Sequence, residues 1–395
     1  MMALGIIIPV LPKLILNFQG GNATSAAHTL GVFGTVWAAM QFICAPILGS
    51  LSDRFGRRPV LLLSMTGLGI DYVFMALAPT LRLLFVGRVI SGMTTSSFST
   101  ASAYVADCTP PEKRAGRFGL LGAAFGAGFI LGPALGGFLG GINLRAPFWA
   151  SAALSLANAL YGLFVLPESL PLVRRSHFDW RKANPIGSLV LLKSHGELLG
   201  IAGVYFLYIL AHNSLPSMFV LYADYRYAWD GRTVGLVLSL VGVASMLVQG
   251  GLVGRVVRWF GERRTLLLGL FFGGSAFAIY GWAPRGALFL IGIPFGSLMG
   301  IVSPAVQTFM TRRVGPTEQG KLQGANGSVM GIAGMIAPTL FTQVFAFGVA
   351  PTHSVLIPGA PYLLASALCL MAIVTAAWVT RHSAVRIAAV EAPAK

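Results

Sequence analysis

The stretch GSLSDRFGRRPVLL, residues 49–62, concentrates charge between two apolar runs. Its four charged side chains lie within six consecutive positions: Asp53, Arg54, Arg57 and Arg58. Gly49 permits close approach of two helices, and Gly56 permits a sharp reversal of the chain. The pattern predicts a tight polar turn between two membrane-spanning helices, and this turn decides the fold.

The rest of the chain consists largely of apolar runs. Of its 395 residues, 55% are hydrophobic and 10% are charged, whereas soluble domains contain about 25% charged residues. A transmembrane helix requires about 20 apolar residues. Runs near or above this length are a short one at the N-terminus, 30–51, 59–79, 83–106, 115–140, 146–166, 198–222, 233–254, 265–283, 286–311, 320–349 and 359–379. Because barrel strands would give alternating segments of about 10 residues, the sequence predicts an all-α polytopic membrane protein with twelve transmembrane helices.

The basic residues predict the orientation of these helices. When loops are assigned to alternate sides, 21 of the 28 Lys and Arg residues fall on one side and six on the other, with Arg88 inside a span. The six are Lys13, Arg82, Arg145, Arg226, Arg232 and Arg285. Because cytoplasmic loops carry the excess of positive charge, the richer side and both termini are predicted to be cytoplasmic. The net charge of +16 is attributed to topology, and no nucleic-acid partner is expected.

A shift of 205 residues superposes one half of the chain on the other. The coinciding pairs include Gly49 and Gly254, Phe55 and Phe260, Gly56 and Gly261, Arg58 and Arg263, Gly119 and Gly324, and Pro133 and Pro338. Parallel repeats are typical of transporters that bind substrate between the halves near the membrane midplane. The predicted parts are an N-terminal six-helix half, 1–167, a cytoplasmic central loop, 168–197, a C-terminal six-helix half, 198–380, and a cytoplasmic tail, 381–395.

The charged turn has two interpretations. Asp53 lies near a helix end, where a carboxylate can bind an arginine or a neighbouring helix N-terminus and act as a latch in one conformation of a carrier. Alternatively, the turn is a basic loop that only sets topology. The second copy keeps the glycines but has Arg258 at the position of Asp53. This asymmetry favours the latch.

Three motifs in order along the chain resemble signatures of the major facilitator superfamily. GSLSDRFGRRP, 49–59, resembles the signature between spans 2 and 3, and Arg88 begins a segment that resembles the span-4 pattern. In span 5, the residues that match the pattern of the antiporter branch are Gly119, Gly128, Gly132, Pro133 and Gly136. PVLP (9–12), LPES (166–169) and QGKLQG (319–324) are similar to the tetracycline–proton antiporters. The resemblance implies a bacterial inner-membrane exporter of a drug-like molecule, driven by inward proton flow.

Span 5 also has a physical interpretation. Small residues recur at every fourth position, namely Ala124, Gly128, Gly132, Gly136 and Gly140. Such a stripe allows two helices to pack closely, and Pro133 can bend the helix. We expect a tightly packed helix that seals the transport cavity, with plain packing as the alternative.

Charged residues inside a span are costly and usually functional. Asp71 lies in the middle of span 3, and Arg88 lies in span 4. Either the two side chains pair and satisfy each other or, as the resemblance implies, both serve transport and proton coupling. Asp107 ends span 4 on the cytoplasmic side, and the family's gate network implies that it joins Asp53 and Arg57.

The second half offers mainly neutral polar side chains. His212 in span 7 is a candidate for proton coupling because histidine titrates near neutral pH; otherwise it is a hydrogen-bonded helix contact. The side chains predicted to line a midplane cavity for a polar, partly aromatic substrate are Asn213, Gln249, Gln307, Gln323 and Asn326. The alternative for each of them is a packing role.

Three positions depart from the tetracycline–proton antiporters. The acid of their span 1 would fall just before Met1, and a span from there to residue 16 is only about 24 Å long, against a hydrocarbon core of about 30 Å. We therefore expect a truncated or misassigned start. Their span-9 acid aligns with Gly273 and their span-8 histidine with Ser245. Tetracycline is thus doubtful as the substrate, and coupling rests on the two first-half charges and His212.

Two transport functions fit these features. The first is proton-coupled export of a drug-like compound by alternating access, and the second is a facilitator or symporter for a sugar or other small solute. A membrane enzyme or receptor is disfavoured, because the sequence shows no nucleophile–base pair or phosphate loop, and Cys44, Cys108 and Cys369 lack metal or redox spacing. We expect no enzymatic activity, metal or other cofactor. The predicted partners of the monomer are the lipid bilayer, a small-molecule substrate and protons.

Overall fold

The computed structural model describes most of the chain. The described ranges are 2–95, 97–110, 113–175, 187–194, 196–315, 318–351 and 355–391. Within these ranges the chain is helical and contains no β-strand, which confirms the predicted all-α fold. Residues 176–186 of the predicted central loop and 392–395 of the predicted tail lie outside the described residues.

Helices follow one another along the described chain with short connections. In order they are α1 (Met2–Ile7), α2 (Leu11–Phe18), α3 (Ala23–Phe55), α4 (Arg57–Leu77), α5 (Leu81–Thr94), α6 (Ser97–Asp107), α7 (Arg114–Ile142), α8 (Ala146–Val165), α9 (Val190–Ser194), α10 (Gly196–His212), α11 (Ser214–Tyr227), α12 (Gly231–Leu247), α13 (Val253–Trp282), α14 (Gly286–Leu298), α15 (Val302–Thr311), α16 (Gln319–Gly348) and α17 (Ala360–Glu391). A π-helical turn, Val248–Leu252, joins α12 to α13, and a 3₁₀ turn, Met299–Ile301, joins α14 to α15.

Many of these helices are suited to a bilayer. Among the described residues, nine helical stretches are long and apolar enough to cross a membrane. One of them, Gly231–Trp282, covers 52 residues and is interrupted by non-helical backbone at Gly261. The N-terminal pair, Met2–Phe18, is apolar but shorter. These helices confirm a polytopic membrane fold, and the count of twelve spans stays a prediction.

Large apolar side chains also cover the outer surfaces of the helices. Side chains that are at least 60% exposed include Leu63, Ile70, Phe164, Phe347, Val374 and Trp378. A soluble monomer rarely exposes contiguous apolar surface on this scale. In a bilayer, apolar lipid chains contact these side chains, so they are not exposed to water.

Polar residues cap three helices on the predicted external side. The side chains of Asn22, Thr80 and Asp230 each accept the backbone N–H of the residue three positions on, at 3.0, 3.4 and 2.8 Å. Such caps satisfy N–H groups that a helix start leaves unpaired. Hydrogen bonds from Thr233 also lower the pKa of the Asp230 carboxyl. The caps therefore fix where α3, α5 and α12 begin.

Close contacts divide the chain into two compact units. The first contains Met1–Pro185 and Val220–Gly242, and the second contains Ile186–Phe219 and Val243–Lys395. In the first unit, α4 packs on α8, α1 on α7 and α3 on α5. In the second unit, α13 packs on α17 and α14, and α10 packs on α17. These compact units do not test the predicted division into two six-helix halves, which stays a prediction.

The backbone repeats where the sequence does. Gly56 has φ +105° and Gly261 has φ +71°, a region that side chains other than glycine rarely adopt. The two residues are separated by the same 205 positions that relate the sequence halves. The repeated motif therefore builds the same kind of turn in each unit.

Candidate functional site

Arg57, the first residue of α4, is the centre of a charge cluster at the turn after α3. Its guanidinium donates from Nη1 to Asp53 Oδ1 at 2.5 Å and from Nε to Asp107 Oδ2 at 3.1 Å. Nη1 also donates to Ser52 Oγ at 2.7 Å. Hydrogen bonds between charged groups are stronger than neutral ones. The turn thus brings together the two acids and the arginine expected there, and their gating role stays a prediction.

Glu168 completes this cluster, and no sequence argument singled it out. The backbone N–H groups of Arg57 and Arg58 donate to its Oε1 and Oε2 at 2.9 and 3.3 Å. A carboxylate is favourable there, because a helix N-terminus carries unpaired N–H groups and partial positive charge. Arg58 also donates from Nη2 to the carbonyl of Leu163 at 2.5 Å. Glu168 is the acid of LPES, the motif that offered a signal for it.

The two glycines of the turn behave differently. Gly56 has a positive φ, and a Cβ there would overlap the Glu168 carboxylate, so only glycine fits. At Gly49, no described atom lies within 4 Å of the position of a Cβ. Its predicted role in close helix approach is therefore wrong, because α3 is open at that point. The Arg54 guanidinium lies 5.0 Å from the ring centroid of Phe55.

We expect Glu168→Gln to destabilise the protein by about 1 kcal/mol, because an amide accepts the two N–H groups less strongly and does not compensate the helix dipole. Thermal unfolding in detergent measures this change. Glu318→Gln is the matched control, since Glu318 precedes α16 but makes no side-chain capping bond. Equal losses in both variants would contradict the capping role of Glu168.

The second unit carries a counterpart of the cluster with its charges reversed. Glu262 Oε1 and Arg312 Nη1 form an ion pair at 2.7 Å. These residues follow Arg57 and Asp107 by 205 positions, so acid and base have exchanged places. The sequence comparison had revealed this reversal only at Arg258. If the same offset had been applied to Arg57 and Asp107, the sequence would have revealed the reversed pair as well.

Asp71 in α4 and Arg88 in α5 are both buried, with 1% and 9% of their surface exposed. They do not pair by direct contact: neither Asp71 oxygen has a hydrogen-bond partner among the described residues, nor does Arg88 Nε. The guanidinium lies 5.3 Å from the ring centroid of Trp37, a cation–π arrangement. The interpretation in which the two charges satisfy each other by contact is wrong. Arg88 and the Ser91 hydroxyl act on the Asp71 carboxyl electrostatically without direct hydrogen-bond contact. Burial of such a charge is costly, which makes Asp71 the strongest candidate for a functional intramembrane group.

The glycine stripe of α7 faces α1. A Cβ at Gly132 would lie 2.7 Å from the Cα of Gly5. A Cβ at Gly136 would overlap the carbonyl of Ile6, and one at Gly5 would lie 2.8 Å from the carbonyl oxygen of Gly128. The two backbones thus touch, which agrees with the expected packing of small residues.

The other end of α7 does not share this packing. Ala124 is exposed, and no described atom lies within 4 Å of a Cβ position at Gly119. The predicted stripe is therefore wrong at this end, because α1 lies opposite Gly128 and the residues after it.

A second face of α7 packs on α12 within the first unit. A Cβ at Gly235 would overlap the carbonyl of Pro133, and one at Gly137 would overlap the carbonyl that begins α12. Ser239 Oγ donates to the carbonyl of Ile130 at 2.5 Å. The span-5 motif therefore serves two helix contacts, whereas its period of four had indicated one.

The polar residues of the second unit make different side-chain contacts, and their predicted place around one cavity stays a prediction. Gln323 Nε2 donates to Gln307 Oε1 at 3.1 Å. Asn326 is 2% exposed, and neither atom of its amide has a partner among the described residues. Asn213 donates to its own helix, at the carbonyl of Ile209, at 2.8 Å. Gln249 lies exposed in the π-helical turn, a feature frequent at functional sites.

His212 ends α10 directly before the break that precedes α11. Its ring stacks on Tyr208, with 5.9 Å between ring centroids. The structure therefore shows an aromatic contact and gives no test of the proposed coupling role.

The position of the absent span-9 acid is filled by a neighbouring side chain. Gly273 is buried in α13, and a Cβ there would lie 2.7 Å from Met299 Sδ. Met299 is itself 1% exposed. An acid at position 273 would thus require Met299 to move.

Long apolar helices, backbone contacts between glycine-bearing helices and isolated buried charges define the class of polytopic membrane proteins with charged groups inside their spans, which transporters commonly have. The sequence matches the family model "Major Facilitator Superfamily" over residues 1–338. The chain belongs to the major facilitator superfamily. It is therefore a membrane transporter, set in a lipid bilayer and acting on a small molecule.

Relatives and solved structures agree with this assignment. The chain is 35% identical over 378 residues to Tetracycline resistance protein, class C, of Escherichia coli, covering 95% of this chain and 93% of that protein. It is 25% identical to Multidrug resistance protein 2 of Bacillus subtilis (strain 168), covering 86% and 84%. The fold is similar to the human organic anion transporter MFSD10 (TETRAN), with TM-score 0.69, 23% identity and 95% of both chains covered. It is also similar to the peptide transporter POT in complex with sulfate, with TM-score 0.77, 14% identity, and 96% and 92% covered.

Proposed function

We propose that the chain exports a drug-like small molecule in exchange for protons, by alternating access. The Asp71 carboxyl is the observation that carries this proposal. It is buried, and neither of its oxygens is in direct hydrogen-bond contact with a described residue, which leaves the carboxyl free to take up and release a proton. Its Oδ1 faces Gly87 of α5, the residue before Arg88. The arginine thus provides a positive charge that can respond to the protonation of Asp71.

The substrate is proposed to be polar and partly aromatic. The Gln307–Gln323 pair and the unpartnered amide of Asn326 offer hydrogen-bond donors and acceptors in the second unit. Similarity to a tetracycline resistance protein and to a multidrug resistance protein supports a drug-like compound. Gly273 and Ser245 stand where coupling groups are expected, so the substrate need not be tetracycline.

We propose an inner-membrane location with both termini in the cytoplasm, and a monomer without enzymatic activity, cofactor or nucleic-acid partner. The bias of 21 to six basic residues supports this orientation. The cluster around Arg57 then lies on the cytoplasmic side. There it would latch the ends of α3, α4 and α6 to Glu168 in one conformation of the transport cycle.

A facilitator or symporter for a sugar or other small solute is the second candidate. The observation that favours it is the packing of Met299 against Gly273, where the coupling acid is absent and could be added only if Met299 moved. Such a carrier would move its substrate without dependence on a proton gradient, or would accumulate it inside the cell.

Drug accumulation in an efflux-deficient bacterium tests the proposal. We expect cells that express the chain to accumulate less of at least one compound from a panel of tetracycline and fluorescent drugs, and a protonophore to abolish the difference. Lower accumulation that persists with the protonophore would contradict proton coupling. Equal accumulation for every compound would contradict drug export, and higher accumulation of a sugar would support the second candidate.

A further inference from the structure

On the predicted external side, Lys13 of α2 binds the end of α11 and the segment that connects α11 to α12. Its Nζ lies 3.1 Å from Asp224 Oδ1 and donates to the carbonyl of Trp229 at 2.8 Å. The lysine side chain is 17% exposed and the aspartate side chain 34% exposed. One ammonium group therefore satisfies two acceptors at a partly buried position.

The connecting segment is held in a defined shape. Ala228 has φ +53°, and it is the one non-glycine residue with positive φ in the described part of the chain. The backbone N–H of Ala228 donates to the carbonyl of Asp224 at 3.0 Å. The rings of Tyr227 and Trp229 lie 5.1 Å apart, and the hydroxyls of Tyr222 and Tyr227 lie 3.2 Å apart. These contacts present both acceptors to Lys13 on one fixed turn.

Lys13 belongs to the first sequence repeat, whereas Asp224 and Trp229 belong to the second, and all three lie inside the first compact unit. Alternating access requires the outer ends of the two repeats to separate once per cycle. An ion pair that remains partly exposed is weak enough to break reversibly.

We propose that Lys13 is an external lock of the transporter: its bonds to Asp224 and Trp229 hold the outer ends of the repeats together, and they break when the carrier opens outward. This inference rests on the alternating access of the proposed function. Asp224 is the positioning partner, and Trp229 contributes only its backbone carbonyl.

Thiol labelling tests the lock without relying on transport. In a background with the three cysteines replaced, Ala223→Cys places a reporter at a position that is 0% exposed. We expect Lys13→Met and Asp224→Asn each to raise labelling by an external, membrane-impermeant maleimide at least about threefold, which is about 0.65 kcal/mol in the opening equilibrium. The control is Arg82→Gln, since Arg82 is exposed on the same predicted side and has no ion pair among the described residues. Unchanged labelling in both lock variants would overturn the proposal.

Cross-linking separates a lock from a static brace. Lys13→Cys combined with Asp224→Cys, joined by a cleavable bifunctional thiol reagent, should stop export, and cleavage of the reagent should restore it. Continued export with the bridge in place would overturn the lock while leaving the proposed function intact. If no variant exports any compound before cross-linking, the proposed export function fails, and the labelling result alone decides the lock.

Discussion

Asp71→Asn is expected to abolish protonophore-sensitive export while leaving a folded protein in the membrane. Asparagine nearly matches aspartate in volume but cannot exchange a proton as a carboxyl does. Neither Asp71 oxygen is in direct hydrogen-bond contact with a described residue, so the substitution mainly removes the electrostatic interaction with Arg88 and Ser91. The export rate should fall by at least about tenfold, or roughly 1.4 kcal/mol in the transport barrier.

Export from loaded cells and the folded yield in size-exclusion chromatography measure the two parts of this result. Glu318→Gln is the control, because it removes a carboxylate charge outside the predicted spans, where Glu318 makes no side-chain capping bond. Asp71→Glu keeps a carboxyl group, so its export rate should lie between those of Asp71→Asn and the unchanged protein. Full proton-driven export by Asp71→Asn would exclude Asp71 from coupling.

Gly136→Val should prevent the accumulation of folded protein. A Cβ at Gly136 overlaps the carbonyl of Ile6, and backbone atoms cannot move aside as a flexible side chain can. Overpacking of a core typically costs about 1–3 kcal/mol, and a backbone overlap in a helix contact belongs at or above the upper end of that range. The measurement is the folded fraction after extraction in mild detergent, together with its unfolding temperature.

Gly119→Val is the matched control for this effect. The two glycines lie on the same helix and in the same motif, but no described atom lies within 4 Å of a Cβ position at Gly119. We expect a nearly normal yield for this variant. If both variants were equally stable, the contact between α1 and α7 would not hold the first unit together.

Each unit has an ion pair at the equivalent position of its sequence repeat, with the charges reversed between the two units. In the first unit Arg57 binds Asp107, and in the second Glu262 binds Arg312. Reversal of one partner alone would bring like charges together, which is unfavourable. Between the two repeats, both partners of the pair have changed the sign of their charge. This paired change favours a selected contact at each turn over a general preference for basic loops.

Much of the fold could be predicted because it depends on neighbouring residues. Apolar runs determined the helices, and a charged stretch with Gly56 predicted the turn between α3 and α4. The constant offset of 205 positions predicted an internal repeat. The backbone shows it where Gly56 and Gly261 both have positive φ. The approach of Asp107 to Arg57 was also foreseen, because the resemblance to the family's gate network implied it.

The amino-acid sequence by itself determined the membrane class, the helical fold and the membership of the superfamily. Only the tertiary structure decided which distant groups meet. Glu168 caps α4 from 111 positions away, and Lys13 reaches the carbonyl of Trp229 across 216 positions. Arg88 lies over Trp37 and does not contact Asp71. Hydropathy specifies that a helix crosses the membrane, whereas its neighbours are selected by backbone contact at glycine faces and by the need to satisfy a few buried charges, and these depend on the whole chain.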